Sequence, residues 1–209
     1  MPKPLSILCF GNSLTAGYFA WGMEYHPYDG KLKETLKAKI PGLEVLTYIS
    51  GLPGDLVVFP PGSFLSRMQG KCAEAKYDWV ICLGGTNDIG YSYPADKIYA
   101  ALQDSWNVAL ASGAKVLALT VPECKARSAR IDGRRDELNA SILTHKAEGF
   151  YAFDLRAKIP YHDATEEWRE DMFDDGLHLT AEGYDFMGTV IAEHLATLLL
   201  ADEAVDEQA

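Results

Sequence analysis

The sequence has no long hydrophobic run and no excess of basic residues. Its N-terminal apolar run, Leu5–Phe10, is six residues long, too short for a signal-peptide core or a membrane span. The 19 Lys and Arg residues are outnumbered by 30 Asp and Glu, and the net charge of −11 repels nucleic-acid phosphates and anionic lipid headgroups. We expect a soluble, cytoplasmic protein that neither spans a membrane nor binds nucleic acid. We also expect a monomer.

Cysteine is scarce as well. The four cysteines lie far apart, with no Cys-x-x-Cys pair and no neighbouring group of histidines. This spacing excludes the usual zinc-binding patterns. The cysteines are Cys9, Cys72, Cys82 and Cys124. We interpret them as structural thiols.

Length and composition fit one domain. With 209 residues, of which 48% are hydrophobic and 23% charged, the chain has the composition of an ordinary globular protein. We predict a single domain over residues 1–200. The segment 201–209 contains Asp202, Glu203, Asp206 and Glu207 and little that could be buried, so we predict a flexible acidic tail there.

Short apolar runs alternate with segments of helical periodicity. The runs predict five strands, over 5–10, 44–49, 79–83, 115–121 and 150–155. The periodic segments predict helices over 30–40, 63–76, 94–112, 134–148 and 181–200. This alternation indicates an α/β fold with a parallel sheet covered by helices on both faces. In such sheets the functional groups gather beyond the carboxyl ends of the strands.

A hydroxyl group follows the first predicted strand. In the segment 11–15, GNSLT, the glycine permits a tight turn that places Ser13 at the carboxyl edge of the sheet. Ser13 could act there as a nucleophile, or it could merely cap the helix that follows.

Two further strand ends offer hydrogen-bond donors. The segment 50–55, SGLPGD, contains two glycines that could present a backbone N–H to a substrate oxygen, and we favour Gly54 over Gly51. In the segment 84–88, GGTND, Asn87 offers a side-chain NH₂ suited to a developing oxyanion. The alternatives are an ordinary Pro-Gly turn and an asparagine that bonds its own loop.

The last predicted helix is preceded by a carboxylate and an imidazole three residues apart. Asp175 and His178 can point the same way across this turn. Histidine is suited to taking a proton at neutral pH, and a carboxylate on its other ring nitrogen fixes the tautomer and steadies the imidazolium. The pair therefore predicts a base and its orienting residue.

These four segments together resemble the SGNH hydrolases, also called the GDSL family of esterases and lipases, whose four named blocks supply Ser, Gly, Asn and His in this order. The resemblance spans nearly the whole chain. The blocks read Gly11-Asn12-Ser13-Leu14, Gly54 in its Pro-Gly-Asp turn, Gly85-Thr86-Asn87-Asp88 and Asp175-Gly176-Leu177-His178.

The resemblance implies a flavodoxin-like three-layer α/β/α sandwich with a five-stranded parallel sheet. It implies Ser13 as nucleophile, His178 as base and Asp175 as its orienter. It further implies an oxyanion hole from Ser13, Gly54 and Asn87, with neither a metal nor a cofactor. One residue departs from the family pattern, because Asn12 stands where the first block usually has Asp. Asn keeps the hydrogen bonds of Asp but not its charge.

We therefore predict a serine esterase or acylhydrolase that cleaves a small-molecule carboxylic ester through an acyl-enzyme. Aromatic residues near the motifs predict an apolar or aromatic pocket, although we expect roughly half of them to pack in the core. These aromatic residues are Tyr18, Phe19, Trp21, Tyr25, Tyr28, Phe59, Phe64, Tyr91 and Tyr93.

Three other functions stay open at this point. An acyltransferase would use the same residues with an alcohol as acceptor. A non-catalytic binder of small molecules would use the same pocket. A metal-assisted hydrolase would draw its ligands from an acidic segment. That segment contains His162, Asp163, Glu166, Glu167, Asp171, Asp174, Asp175 and His178.

Overall fold

The computed structural model describes residues 3–206, with side chains through residue 201. The strands in this range are β1 (Leu5–Gly11), β2 (Tyr18–Phe19), β3 (Glu24–Tyr25), β4 (Val45–Gly51), β5 (Trp79–Leu83), β6 (Lys115–Leu119) and β7 (Phe150–Phe153). Five of them form one parallel sheet in the order β4-β1-β5-β6-β7. This is the flavodoxin-like strand order. The other two, β2 and β3, pair as a short antiparallel ribbon.

Helices cover both faces of the sheet. They are α1 (Ser13–Ala16), α2 (Asp29–Lys39), α3 (Phe64–Glu74), α4 (Thr86–Gly90), α5 (Ala95–Ala111), α6 (Ala129–Thr144), α7 (Glu166–Met172) and α8 (Ala181–Asp206). Along β1, Ile7 and Cys9 join a core shared with α2 and α8, whereas Leu8 and Phe10 join a second core shared with α3, α5 and α6. Alternate strand residues point to opposite faces, so the sheet is buried on both sides. The predicted α/β fold with three layers is confirmed.

The predicted elements differ from the observed ones mainly at their ends. Helix α6 begins at Ala129, five residues before the predicted start, because the Ser128 hydroxyl caps it by accepting a hydrogen bond from the Ile131 N–H at 3.1 Å. Helix α8 continues through Asp206 into the segment predicted to be a tail. Alanine and glutamate in that segment favour helix. Residues 207–209 of the predicted tail lie outside the described residues.

The strand register brings the carboxyl ends of three strands together. Gly11 at the end of β1 lies opposite Gly51 of β4 on one side and opposite Leu83 of β5 on the other. The loops that follow these three strands therefore start at the same edge of the sheet. Within the described part of the chain, no helix combines the length and apolar character needed to cross a bilayer.

Candidate active site

Three side chains form a hydrogen-bonded chain at this edge. Ser13 begins α1 directly after β1, and its hydroxyl Oγ lies 3.0 Å from Nε2 of His178. The other ring nitrogen of His178, Nδ1, lies 2.8 Å from Oδ2 of Asp175. Ser13 is 6% exposed, so the hydroxyl sits below the surface of the site. The structure thus brings Ser13, His178 and Asp175 together in the order that proton transfer to histidine requires.

The turn before α8 fixes the orientation of Asp175. Its Oδ1 accepts hydrogen bonds from the backbone N–H groups of Leu177 and His178, at 2.9 and 2.7 Å. Partial burial raises the pKa of the Asp175 carboxyl, but the bond with the His178 ring and these two backbone bonds outweigh burial and lower the pKa below its usual range. Asp175 is therefore held as a carboxylate facing the imidazole.

The ribbon formed by β2 and β3 supports the imidazole from another side. The Tyr18 ring contacts the His178 ring, with a centroid distance of 4.5 Å. The backbone carbonyl of Tyr18 accepts a hydrogen bond from the Tyr184 hydroxyl of α8 at 2.7 Å. The ribbon is thus tied to the helix that follows the Asp175–His178 turn.

Asn87 lies in the first turn of α4, immediately after β5. Its Nδ2 donates one hydrogen bond to the backbone carbonyl of Asp55, at 2.8 Å. The neighbouring Asp88 is fully buried, and its carboxylate accepts bonds from the N–H groups of Val57 and Val58 at 3.1 and 3.0 Å. Burial raises the Asp88 pKa, and these backbone bonds oppose the rise. Asn87 and Asp88 together hold the loop after β4, and one Asn87 amide hydrogen is left for a ligand.

The structure distinguishes the two glycines of the segment 50–55. Gly51 ends β4, and a Cβ at this position would lie 2.3 Å from the backbone N of Ala16, in the helix that begins with Ser13. Gly54 is exposed and has no atom within 4 Å of its Cβ position. Gly51 therefore packs against the nucleophile helix, whereas Gly54 lies in the turn whose next residue, Asp55, is bonded by Asn87.

The ladder between β1 and β4 also leaves the Gly51 N–H unused. Leu5 donates to the Glu44 carbonyl and Leu52 donates to the Gly11 carbonyl, at 2.7 and 3.2 Å. Residues of a parallel strand alternate in the direction of their N–H groups. Even-numbered residues of β4 therefore bond to β1, and the Gly51 N–H points away from that strand, toward the open edge of the sheet.

We expect the two Gly→Ala variants to behave differently. In Gly51→Ala the new methyl group meets the Ala16 backbone, so α1 and Ser13 must move, and we expect kcat for a nitrophenyl ester to fall by about 10²-fold. Gly54→Ala has open space but a φ of +78°, which costs stability of about 1–2 kcal/mol without displacing Ser13. Thermal unfolding and steady-state kinetics of both variants measure this. An inactive, folded Gly54→Ala beside an active Gly51→Ala would contradict this role of Gly51.

A partly buried arginine, which the sequence analysis missed, joins the loops around Ser13. Arg67 of α3 donates to the carbonyl of Gly11 and to both the carbonyl and hydroxyl of Ser50. It also pairs with the Asp55 carboxylate at 2.7 Å, where the two side chains are 18% and 4% exposed. The guanidinium lies 4.7 Å from the centre of the Phe10 ring. One cation therefore fixes the end of β1, the end of β4 and the loop that holds Asn87.

Replacing Arg67 is expected to reduce both stability and turnover. Arg67→Met leaves the Asp55 carboxylate buried without its cation, which costs roughly 3 kcal/mol, and it frees the turn before Ser13, so kcat falls by about tenfold or more. Arg67→Lys keeps the charge but not the planar fork, so we expect an intermediate effect. Lys71→Met, which removes an exposed cation from the same helix, is the control. Urea unfolding and kinetics that match wild type in Arg67→Met would contradict this role.

Asn12 occupies a position where a charge would be costly. The residue is fully buried, and neither Oδ1 nor Nδ2 of its amide makes a hydrogen bond with the described residues. An ionised carboxylate here would be desolvated without a partner. The neutral Asn therefore fits this environment better than the Asp usual in the first block.

An apolar cavity of about 240 Å³ opens beside Asn87. Its walls are mainly aliphatic and include Ile89, Val121 and Leu177. Arg135 also contributes to the wall, but it is only 2% exposed and its guanidinium bonds Asp132 at 3.0 Å. The charge in the wall is thus paired with a carboxylate.

The aromatic residues near the motifs lie in different parts of the structure, some in the core and some at the surface. Tyr28 and Phe64 are fully buried in the two cores. Tyr91 lines the cavity beside Asn87, whereas Trp21 and Phe59 line other depressions. The cavity is therefore more aliphatic than the sequence indicated.

The side chains of the acidic segment that was considered as a metal site do not come together as one. Among the side chains described, no three His, Cys, Asp or Glu residues converge as metal ligands would. Asp175 and His178 bond each other, and Asp174 instead accepts a hydrogen bond from the Ala20 N–H at 2.9 Å.

The chain is similar to known proteins in its fold and in its sequence profile. A search of curated proteins by sequence returns no match. Among solved structures, a lipase/acylhydrolase from Enterococcus faecalis is 20% identical with a TM-score of 0.72, covering 92% of this chain and 96% of that one. A member of the lipolytic G-D-S-L family from Veillonella parvula is 21% identical with a TM-score of 0.67, covering 88% and 94%.

A carbohydrate esterase family 3 structure from Talaromyces cellulolyticus is 16% identical with a TM-score of 0.68, covering 94% of this chain and 99% of that one. At these identities the structural matches show the fold alone. The sequence profile of the GDSL-like lipase/acylhydrolase family matches residues 9–186. This match covers most of the chain and includes Ser13, Asn87, Asp175 and His178, so the protein belongs to the GDSL-like lipase/acylhydrolase family.

Proposed function

We propose that this protein is a serine esterase that cleaves a carboxylic ester through an acyl-enzyme on Ser13. The observation that carries the proposal is the chain of contacts from Ser13 Oγ to His178 Nε2 and from His178 Nδ1 to Asp175, at 3.0 and 2.8 Å. This is the arrangement that activates a serine hydroxyl as nucleophile.

The proposed reaction has two steps. His178 takes the proton of Ser13 as Oγ attacks the ester carbonyl, then gives that proton to the leaving alcohol. In the second step His178 activates water, which releases the acid and frees Ser13. Asp175 holds the His178 ring in one tautomer and steadies its positive charge.

An oxyanion forms in each step and needs hydrogen-bond donors. We assign the backbone N–H groups of Ser13 and Gly54 and the remaining amide hydrogen of Asn87. The support for Gly54 is its turn, because the carbonyl of the next residue, Asp55, accepts the Asn87 amide bond at 2.8 Å. Donors fixed before the reaction stabilise the developing charge without reorganisation.

The cavity beside Asn87 supports binding of the acyl group. A cavity of roughly 150 Å³ accepts benzene, so one of about 240 Å³ suits a group somewhat larger than a phenyl ring. Each buried methylene contributes about 0.8 kcal/mol, or up to roughly fourfold in kcat/KM. We expect kcat/KM on nitrophenyl esters to rise from acetate to about hexanoate and to fall beyond about ten carbons.

A series of nitrophenyl esters of increasing acyl length measures this directly. A matched variant, Val121→Phe, fills part of the cavity and should move the optimum to shorter acyl groups. Equal kcat/KM across all acyl lengths, in wild type and variant alike, would show that this cavity does not bind the acyl group.

The experiment that tests the function is hydrolysis of these esters by the purified chain, with product analysis. Free acid as the main product supports the esterase, whereas transfer to an added alcohol in preference to water identifies an acyltransferase. Loss of turnover with EDTA, restored by a divalent metal, would favour metal-assisted hydrolysis. Absence of any turnover would favour a binding role. The cytoplasmic location and the monomeric state remain predictions from sequence.

A further inference from the structure

The loop between β6 and α6, residues 120–128, is bonded to the Asp175–His178 turn. The backbone N–H of Lys125 in this loop donates a hydrogen bond to the Gly176 carbonyl at 2.6 Å. Gly176 has a φ of +83°, and a Cβ at this position would lie 2.6 Å from Cβ of Lys125. The loop and the turn are therefore in direct contact, and the position of one limits the position of the other.

A carboxylate two residues before Lys125 fixes this loop. Oε2 of Glu123 accepts hydrogen bonds from the backbone N–H groups of Tyr161 and His162, each at 3.0 Å. Oε1 of the same side chain accepts bonds from Nε and Nη2 of Arg156, at 3.3 and 3.1 Å. The Glu123 side chain is 14% exposed. The loop after β6 is thus bonded to the segment that follows β7.

The surroundings of Glu123 require a charged carboxylate. Partial burial raises its pKa, but the backbone bonds from His162 and Tyr161 and the Arg156 guanidinium outweigh burial and lower the pKa to about 2. Glu123 is therefore ionised throughout the neutral range, and each of these partners is a donor. An amide in its place would turn an NH₂ group toward other donors, so the loop would have to move.

The contact between Ser13 and His178 is sensitive to such a movement. Ser13 Oγ and His178 Nε2 lie 3.0 Å apart, and misplacing a reacting group by about 1 Å can cost roughly 10²-fold in rate. Because His178 lies two residues after Gly176, a shift of the Gly176 carbonyl also moves the imidazole.

We propose that Glu123 is a positioning residue for His178, because it holds the β6–α6 loop where the Lys125 N–H fixes the Asp175–His178 turn beside Ser13. The inference rests on the proposed esterase function and goes beyond it. The carboxylate of Glu123 acts only through the loop, since its bonds are made to the segment after β7 and not to the nucleophile or the base.

The same loop also forms part of the wall of the apolar cavity. Val121, Cys124 and Ala126 come from the loop, and Leu177 comes from the turn. Loss of the Glu123 bonds should therefore lower kcat for every acyl length and also weaken the dependence of kcat/KM on acyl length. A lower stability alone would produce neither effect in a protein that is still folded.

The variant Glu123→Gln removes the charge and keeps the shape of the side chain. We expect kcat for nitrophenyl acetate to fall about tenfold, with KM within about twofold of wild type. Labelling of Ser13 by a fluorophosphonate should slow by the same factor, because it needs the same proton transfer to His178. Arg156→Gln leaves the two backbone bonds of Glu123 intact, so we expect losses of only about threefold.

Two controls separate positioning from stability. Asp136→Asn removes the other carboxylate that bonds Arg156 and leaves Glu123 in place, so it should match wild type in kcat and in labelling. Asn139→Ala loses two hydrogen bonds to Val121, at the start of the same loop, so it should lose stability while keeping kcat. Thermal unfolding, measured for each variant, establishes that it is folded at the assay temperature.

A folded Glu123→Gln with wild-type kcat and labelling rate would overturn the positioning role and leave the esterase intact. If Glu123→Gln does not fold, Arg156→Gln decides, and wild-type kcat and labelling in that variant would overturn the role as well. A wild-type protein that neither hydrolyses the ester nor accepts the label would instead overturn the proposed function.

Discussion

Replacing Ser13 with alanine is expected to lower kcat for ester hydrolysis by roughly 10⁵- to 10⁶-fold. The variant lacks the oxygen that forms the acyl-enzyme, and the buried position of Ser13 leaves room for a methyl-sized side chain without unfolding the site. The residual rate reflects the oxyanion donors and substrate binding alone. Steady-state kinetics on nitrophenyl acetate, with enzyme purified free of other esterases, measure this loss.

The same loss is expected from His178→Ala, and the double variant should be little worse than either single one. Residues that act as one unit give effects that do not add. Ser141→Ala, which removes an exposed hydroxyl from α6, serves as the control and should match wild type. Near-wild-type turnover in Ser13→Ala, or full additivity in the double variant, would contradict the proposed nucleophile and base.

Replacing Asn87 with alanine is expected to lower kcat by about 10²- to 10³-fold, with a smaller effect on KM. The loss should fall on kcat because the oxyanion donor acts on the charge that develops in the transition state. The variant also loses the bond from Nδ2 to the Asp55 carbonyl, so its unfolding temperature should be measured in parallel.

Asn139 provides a control for the structural part of this effect. It is a buried asparagine on α6 whose Nδ2 donates to the Val121 carbonyl at 2.9 Å. Asn139→Ala should lower stability to a similar extent while leaving kcat on nitrophenyl acetate nearly unchanged. Equal kcat losses in the two variants would assign Asn87 a structural role only.

The fold was predictable because its signals are local and strong. The central strands β5 and β6 are apolar along nearly their whole length, as strands buried on both faces must be. Turn residues and helical periodicity then separate the elements. The short ribbon and α7 escaped prediction because two-residue strands and a seven-residue helix carry too little periodic signal.

Residues of the site could be predicted from the sequence only where the residue type itself indicates a chemical role. Ser13, Asn87, Asp175 and His178 follow predicted strands or precede the last helix, and the structure brings them to one edge of the sheet. The packing of Gly51 against Ala16 depends on where β4 ends and on the position of α1, which neighbouring residues do not encode.

Arg67 could not be identified from the sequence either. A lone arginine in a predicted helix reads as a solvent-exposed charge, and only the packing of α3 against β1 and β4 brings it to Gly11, Ser50 and Asp55. Charges that bond across distant elements are thus the part of a site that sequence reasoning misses.

The central claim, that Ser13 is the nucleophile, is tested most directly by covalent labelling. The folded protein is treated with a fluorophosphonate probe, and the label is counted by intact mass and located by peptide mapping. The account predicts one label per chain on Ser13, with loss of esterase activity in step with labelling and no label in Ser13→Ala. Hydrolysis that persists in a protein carrying no label at Ser13 would contradict it.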